Sequence, residues 1–254
     1  AYNAPSMSEL GPFRVVLLRL GFAIATALLG SLAVLVAVAS RRASVRVAHL
    51  WGRVLLLMAG VRVVVEGRER IADGQRYVIM ANHESGLDIP VLLTALPASL
   101  ELRFLAKKSL FEVPFLGWAM RVMGFIPVDR EDRSTAAATL ARTLAEVARG
   151  GSPLVFPEQT WTLDGRLLPF QRGGFVVALK SGLPILPVGL EGPRLVFPPE
   201  ARTISPQPVT VRIGAPIPTA GLGVSRRREL TDTVRREIDR LRGPAGHVPD
   251  TPEA

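Results

Sequence analysis

Two residues have the types and the spacing of a general acid–base pair, His83 and Asp88. A neutral imidazole can take a proton from an attacking hydroxyl, while a carboxylate bonded to its other nitrogen fixes the tautomer and stabilises the imidazolium. The alternative is that His83 is an ordinary turn residue and that Asp88 is favoured by the dipole of a helix start. Spacing alone leaves both interpretations open.

The elements around this pair are readable from the local pattern. The apolar run 77–81 predicts a buried strand, and a polar cluster, residues 82–85, follows it. A helix should begin near Asp88, since Pro90 suits a first helical turn, where its missing N–H is not needed. His83 would then lie on the loop that leaves a strand, which is where α/β folds place chemistry.

Composition limits the classes of function. The 254 residues are 48% hydrophobic, which is enough for one large α/β domain and an additional element. The absence of cysteine excludes disulfides, a cysteine nucleophile and thiolate metal ligation, and three histidines do not favour a zinc site. The formal net charge of +9 favours an anionic partner, either a membrane surface or a phosphorylated substrate. Nucleic acid is the weakest candidate, because aromatic residues are few and no binding motif is present.

The N-terminal part of the chain predicts membrane association. Residues 20–40 carry no charge, and a helix of that length spans the ~30 Å hydrocarbon core. Residues 44–59 have apolar side chains at helical spacing and a basic flank, which predicts a second, amphipathic helix. We therefore expect a membrane-associated hairpin over residues 1–60. Whether its first helix spans the bilayer, lies in one leaflet or is buried is left open.

The rest of the chain alternates between strand and helix patterns. Strands are predicted at 61–65, 102–106 and 209–213, and amphipathic helices at 134–149 and 225–241. This alternation predicts the α/β class, with a mixed sheet of about six or seven strands flanked by helices. The predicted catalytic domain covers residues 61–242, and residues 243–254 are expected to form a flexible tail. The apolar segment 111–121 is either core or a membrane-facing surface.

Four segments together resemble the signatures of the glycerolipid acyltransferase family, over roughly residues 61–241. The first is Asn82-His83 with Asp88, and the second is the strand that ends at Arg130. The third begins Phe156-Pro157-Glu158, and the fourth is the proline-containing strand 183–189. Four ordered signatures are more specific than one, so the resemblance favours a catalytic role for His83 and Asp88.

The resemblance implies transfer of an acyl chain from acyl-CoA or acyl-carrier protein to the free hydroxyl of 1-acylglycerol-3-phosphate, giving phosphatidic acid. His83 would be the general base, and Asp88 would orient it. No cofactor beyond the acyl-donor co-substrate, and no metal, is expected. The family pattern places acceptor contacts at Glu158, Arg130 and Thr160, and we add Arg172 by inference. The acyl or donor pocket is expected to include Asn82, Pro187, Lys107 and Lys108.

Two positions depart from the family pattern. Gln159 stands where glycine is usual, so a positive φ there would be strained. Trp161 stands where arginine is common, which removes one expected phosphate contact and leaves the acceptor open to another lysolipid, such as a lyso-ornithine lipid. A membrane-bound lipid hydrolase and a non-catalytic lipid-binding protein are the other candidates. The expected location is the cell inner membrane, with the catalytic domain on the cytoplasmic face.

Overall fold

A helical hairpin opens the structure, a computed structural model that describes residues 12–129, 132–161, 164–197 and 204–243. Helix α1 covers Pro12–Ala39 and helix α2 covers Arg41–Met58, with Ser40 capping α2. The Trp51 indole N–H donates to Thr26 Oγ1 at 3.0 Å across the hairpin. Within α1, residues 16–39 are long and apolar enough to cross a membrane by length and composition, and most of their surface is unburied.

A mixed seven-stranded sheet forms the centre of the described residues, in the order β1-β7-β6-β2-β5-β3-β4. All neighbouring strands are parallel except β6 and β7, which are antiparallel. This confirms the predicted mixed α/β sheet. The strands are β1 Val63–Glu66, β2 Val78–Ala81, β3 Leu102–Lys107, β4 Ile126–Val128, β5 Ser152–Val155, β6 Ile185–Glu191 and β7 Val209–Ile213.

Helices cover both faces of the sheet. The remaining helices are α3 Asp88–Ala95, α4 Leu116–Met123, α5 Ala136–Ala148, α6 Gly173–Ser181, α7 Pro193–Val196 and α8 Arg227–Leu241. Successive side chains of β2 alternate between the two faces of the sheet, and helices cover both faces, so all four residues of the strand are buried. Ile79 and Ala81 pack into the core under α2, α3 and α4, whereas Val78 and Met80 pack into the core under α5, α6 and α8.

The hairpin shares this core with the sheet. Ala33 of α1 and Val45 and Ala48 of α2 are buried in the same hydrophobic cluster as the strands. Helix α2 approaches α3 closely at Gly52, where an added Cβ would lie 2.9 Å from the Pro90 carbonyl oxygen. The hairpin therefore packs on the sheet as one of the layers of the fold, while the predicted domain boundary at residue 60 stays a prediction.

The parallel strands bring three chain segments to one edge of the sheet. His83 follows β2, Lys107 ends β3, and Phe156 follows β5. Because β2, β3 and β5 are parallel, their carboxyl ends lie at the same edge, as expected for a site in an α/β fold. The segment 111–121 lies beside this edge and ends in α4, which has both a buried and an exposed face. The predicted tail lies outside the described residues from 244 onward.

Candidate active site

His83 and Asp88 meet as the sequence predicts. His83 Nδ1 lies 2.7 Å from Asp88 Oδ2, and the Asp88 side chain is fully buried. The same carboxylate oxygen accepts the backbone N–H groups of Glu84 at 2.7 Å and Ser85 at 3.1 Å, so the loop wraps around it. Because Nδ1 is engaged by the carboxylate, Nε2 is the imidazole nitrogen left to take a proton from a substrate.

Glu158 holds the backbone on which His83 sits. Its Oε1 accepts the His83 N–H at 2.8 Å, and its Oε2 accepts the Leu168 N–H at 2.8 Å. Burial raises the pKa of Glu158, and the hydrogen bonds from Leu168 and His83 act in the opposite direction. The carboxylate thus ties the loop after β2 to the loop after β5. Its predicted contact with the acceptor stays a prediction.

Two aromatic rings confine the imidazole. The Phe156 ring stacks on it, with centroids 4.2 Å apart and an interplanar angle of 15°. The Trp161 ring meets it edge-on, with centroids 4.6 Å apart. Trp161 thus forms a wall of the site, a role that sequence reasoning missed, although its place in the third signature could have indicated proximity to His83.

Gln159 has a positive φ, the backbone conformation that the sequence analysis identifies as strained for this residue. Its φ is +63°, in the left-handed region where a side chain is strained, and its N–H closes a turn to the Phe156 carbonyl at 3.0 Å. The expected strain at a position where glycine is usual is therefore present. In the chain the turn lies between Glu158 and Trp161, and both of these residues contact His83.

Gln159→Gly is expected to stabilise the protein by about 0.5–1 kcal/mol. Relief of left-handed strain contributes about 1–2 kcal/mol, and the greater flexibility of glycine in the unfolded chain offsets part of it. Thermal unfolding in detergent measures the effect. Gln159→Ala is the matched control, since alanine keeps the strain, and an equal gain in both variants would show that backbone strain is not the cause.

A largely apolar cavity of about 340 Å³ opens beside His83. Helices α1, α2 and α4 and strand β3 form its walls, with Ala33, Trp51, Phe104 and Met120 among the lining residues. Phe125, which precedes β4, also lines the cavity. The register of β4, β3, β5 and β2 puts Phe125 level with Phe104 and Ile79, in the middle of the sheet, whereas His83 lies beyond the carboxyl end of β2. The cavity therefore runs from the imidazole along the sheet beneath the hairpin.

Of the four residues predicted for the acyl or donor pocket, Lys107 alone lines this cavity. Asn82 is buried and bonded to β6, donating to the Leu190 carbonyl at 3.0 Å and accepting the Leu190 N–H at 2.7 Å. Pro187 is buried within β6, where its carbonyl accepts the Gly214 N–H. Lys108 pairs with Asp129 at 3.2 Å and lines a different cleft. These three residues therefore do not line this cavity, and their place in an acyl or donor pocket stays a prediction.

The other predicted acceptor contacts are at the surface or outside the described residues. Thr160 is exposed beside Trp161. Arg172 is exposed immediately before α6 and does not line the cavity. Arg130 lies outside the described residues. The acceptor-binding roles of these residues stay predictions.

Glu84 is a buried acid that sequence reasoning did not single out. Its carboxylate lies 3.3 Å from Asn82 Nδ2 and 3.4 Å from the Arg194 backbone nitrogen. Burial and the nearby Asp88 carboxylate raise its pKa from 4.5 to about 7, against the opposing effects of Arg194 and Arg242. No signal in the sequence marks this residue beyond its place next to His83.

Glu84 should make the protein less stable as pH rises. An acid whose folded-state pKa is about 7 and whose ordinary value is 4.5 keeps its proton longer when folded, so stability falls as pH rises from 4.5 through 7. The full loss is about 3 kcal/mol. Glu84→Gln should remove this part of the pH dependence, measured as the difference in unfolding midpoint between pH 5 and pH 8. An identical pH dependence in both proteins would contradict the assignment.

The geometry defines a buried histidine–carboxylate pair at the mouth of an apolar cavity, and the comparisons with known proteins place it in a class. The Acyltransferase family model matches residues 62–191, about half of the chain. The chain therefore belongs to the acyltransferase family. Among the described residues, no group of three or more histidine or acidic side chains is placed to hold a metal ion.

Within this family, the chain is similar to enzymes that carry one name. It is 36% identical to the 1-acyl-sn-glycerol-3-phosphate acyltransferase of Saccharomyces cerevisiae over 75% of this chain and 63% of that protein. It is 34% identical to a chloroplastic 1-acyl-sn-glycerol-3-phosphate acyltransferase of Brassica napus over 60% of this chain and 43% of that protein. The matches thus span less than two thirds of the length of these relatives.

A solved structure extends the similarity to the whole fold. The crystal structure of the 1-acyl-sn-glycerophosphate acyltransferase of Thermotoga maritima has a TM-score of 0.76 and 26% sequence identity. The match covers 91% of this chain and 97% of that chain. Because this coverage exceeds the share of the chain that residues 61–242 make up, the likeness includes part of the N-terminal hairpin.

Proposed function

We propose that this protein transfers an acyl chain from acyl-CoA or acyl-carrier protein to the free hydroxyl of 1-acylglycerol-3-phosphate, producing phosphatidic acid for phospholipid synthesis. The observation that carries the proposal is the His83–Asp88 pair at the mouth of the apolar cavity. The family of the chain and the names of its relatives support it.

The geometry supports direct transfer between the two substrates. His83 Nε2 takes the proton of the acceptor hydroxyl as the oxygen attacks the thioester carbonyl carbon. The new C–O bond forms, the C–S bond breaks, and the departing thiolate recovers the proton from His83. Asp88 stabilises the imidazolium between these two transfers. Holding both substrates at one site replaces a covalent acyl-enzyme, for which the chain offers no cysteine.

The apolar cavity is suited to the acyl chain. Its walls offer hydrocarbon contact, and His83 lies at its mouth, where the thioester carbonyl must be placed. Among the lining residues of α1, Ala33 lies nearest to the hairpin turn, because α1 continues from it to Ala39. The turn is fixed near the far edge of the sheet, where Arg41 packs over Gly124. The depth of the cavity should therefore limit chain length.

Ala33→Phe is expected to shift donor preference toward shorter acyl chains. A buried phenylalanine at this position fills part of the cavity, so the longest accepted chains should lose turnover by about tenfold or more. The measurement is kcat/KM across a series of acyl-donor lengths. Val38→Phe, at an exposed position on the same helix, is the control. Equal length profiles in the two variants would show that the chain binds elsewhere.

We further propose that the protein works at the cell inner membrane with its catalytic unit on the cytoplasmic face. The exposed apolar surface of α1 and the arginines that follow the helix support this placement. Acceptor and product are both membrane lipids, so a hairpin that packs on the cavity would place the site where they reside. No cofactor beyond the acyl-donor co-substrate is proposed.

A second acceptor is favoured by one observation. Among the described residues that line the cavity, Lys107 is the single cation, and Trp161 occupies a position where arginine is common in the family. An acceptor without a phosphate, such as a lyso-ornithine lipid, would need fewer cationic contacts. The chemistry at His83 would be unchanged.

A panel of lysolipids tests the acceptor. Purified protein is given labelled acyl-CoA or acyl-carrier protein together with each lysolipid, and products are identified by mass. Phosphatidic acid formed from 1-acylglycerol-3-phosphate would support the main proposal. Diacylated product from a non-phosphate acceptor alone would keep the mechanism and replace the substrate.

A further inference from the structure

A second concave surface lies on the other side of α4 from the acyl cavity. This cleft, of about 800 Å³, follows the edge strand β4 between α4 and α5. Among the described residues, the two cavities share one lining residue, Phe125, and neither His83 nor Trp161 borders the cleft. The cleft is therefore separate from the site at which acyl transfer is proposed.

The cleft is positively charged. Its described lining includes two acidic side chains, Glu112 and Glu146, and five basic ones, which are Arg41, Lys108, Arg121, Arg142 and Arg149. Lys108 is also paired with Asp129, which lies outside this lining, so two positive charges remain uncompensated. A concave surface with this balance attracts phosphate groups.

Glu146 is already neutralised. This buried carboxylate binds Arg41 at 2.6 Å, Arg149 at 2.9 Å and Arg103 at 3.1 Å. Among the described residues, Arg121 and Arg142 form no ion pair, and both are exposed at the cleft. These two guanidinium groups are the ones available to an anion from outside, and each can grip a phosphate through two N–H groups.

An apolar and aromatic surface borders the cleft. Val113, Phe115 and Trp118 are 43%, 37% and 51% exposed on the same segment that carries Lys108 and Arg121. The exposed apolar face of α1 adjoins them, because Gly30 of α1 packs against the Phe115 backbone. Tryptophan beside basic residues and an apolar helix is the pattern of proteins that sit at the membrane–water interface.

We propose that this cleft binds the headgroup phosphate of an anionic phospholipid of the membrane, at a site distinct from that of the acceptor. The inference rests on the membrane location given above and not on the identity of the acceptor. Phe115 and Trp118 enter the interface, and Arg121 and Arg142 contact the lipid phosphate. The protein is thereby held on anionic membranes with the mouth of the acyl cavity at the lipid surface.

The test compares two variants that each lose two positive charges. One is Arg121→Gln with Arg142→Gln, and the control is Arg228→Gln with Arg236→Gln on the exposed face of α8. Binding is measured by flotation with vesicles of phosphatidylcholine, with and without phosphatidylglycerol. The cleft variant should lose about tenfold or more in affinity for the anionic vesicles, and the α8 variant about twofold or less. Equal losses of affinity in the two variants would show that net charge alone causes the effect, and would overturn the proposed lipid site.

A second measurement separates the lipid from the acyl donor, which also carries phosphate. The KM for acyl-CoA is determined for the cleft variant in neutral detergent micelles. A raised KM with vesicle binding equal to that of the unchanged protein would assign the cleft to the donor and overturn the proposal. Vesicle binding requires no turnover, so the flotation result is independent of whether 1-acylglycerol-3-phosphate is the acceptor.

Discussion

His83→Ala is expected to lower turnover by on the order of 10³-fold or more, because it removes the one group placed to take the acceptor's proton. The imidazole is held by Asp88 through Nδ1 and lies between Phe156 and Trp161, so its orientation is fixed before substrate arrives. The loss should appear in kcat, since the ring makes its contribution in the transition state. Initial rates at saturating donor and acceptor measure it.

A second substitution separates chemistry from folding. His83→Gln fills much of the ring's space and can still hydrogen-bond to Asp88, but its amide is not a base. It should be as inactive as His83→Ala while unfolding at a temperature close to that of the unchanged protein. Near-normal turnover in either variant would remove His83 from the mechanism.

Glu158→Gln is expected to impair both stability and turnover. Each carboxylate oxygen now accepts a backbone N–H, and a glutamine must turn its NH₂ group toward one of these donors. An unpaired buried N–H costs about 1–3 kcal/mol, which should appear as a lower unfolding midpoint. Displacement of the His83 backbone should reduce kcat by on the order of 10²-fold. Both effects are measured on the same preparation.

The matched control is Glu69→Gln, which removes the same charge from an exposed position. It should change neither stability nor kcat. If Glu158→Gln instead raised the acceptor's KM and left stability and kcat unchanged, the carboxylate would be an acceptor contact, as the family resemblance implies, and not a support for His83.

Local pattern predicted the elements that carry His83 and Asp88, and the four ordered signatures favoured a catalytic role for the pair. His83 and Asp88 are five residues apart, and a strand, a loop and a helix start bring them together within one short segment. The apolar run before His83 and Pro90 after Asp88 indicate this arrangement. The helix predicted near Asp88 begins there, as Asp88–Ala95. The mixed sheet also follows from the alternation of short apolar runs and amphipathic helices.

Contacts between distant segments could not be predicted in the same way. Glu158 is 75 residues from His83, and Asn82 is 108 residues from Leu190, so their hydrogen bonds depend on the strand order. Asn82 was expected in the acyl pocket, but the β6 backbone beside β2 offers it an N–H and a carbonyl. Sequence pattern does not specify which strands become neighbours across such separations.

The walls of the cavity illustrate the same limit. The run of residues without a charge identified α1 as apolar, which fits a membrane helix and a cavity wall equally well. In the structure α1 has both a buried face and an exposed apolar face, since Ala33 is buried and Val38 is 88% exposed. The segment that ends in α4 behaves similarly, with Met120 in the cavity and Trp118 at the surface.

The measurement that tests the central claim most directly is the fate of a labelled acyl group. Purified protein is incubated with labelled acyl-CoA, with and without 1-acylglycerol-3-phosphate, and phosphatidic acid and free fatty acid are quantified together. The account predicts that label enters phosphatidic acid, that little fatty acid is released in either case, and that His83→Ala abolishes the product. Fatty acid released at the same His83-dependent rate with or without the lysolipid would show a hydrolase and contradict the account.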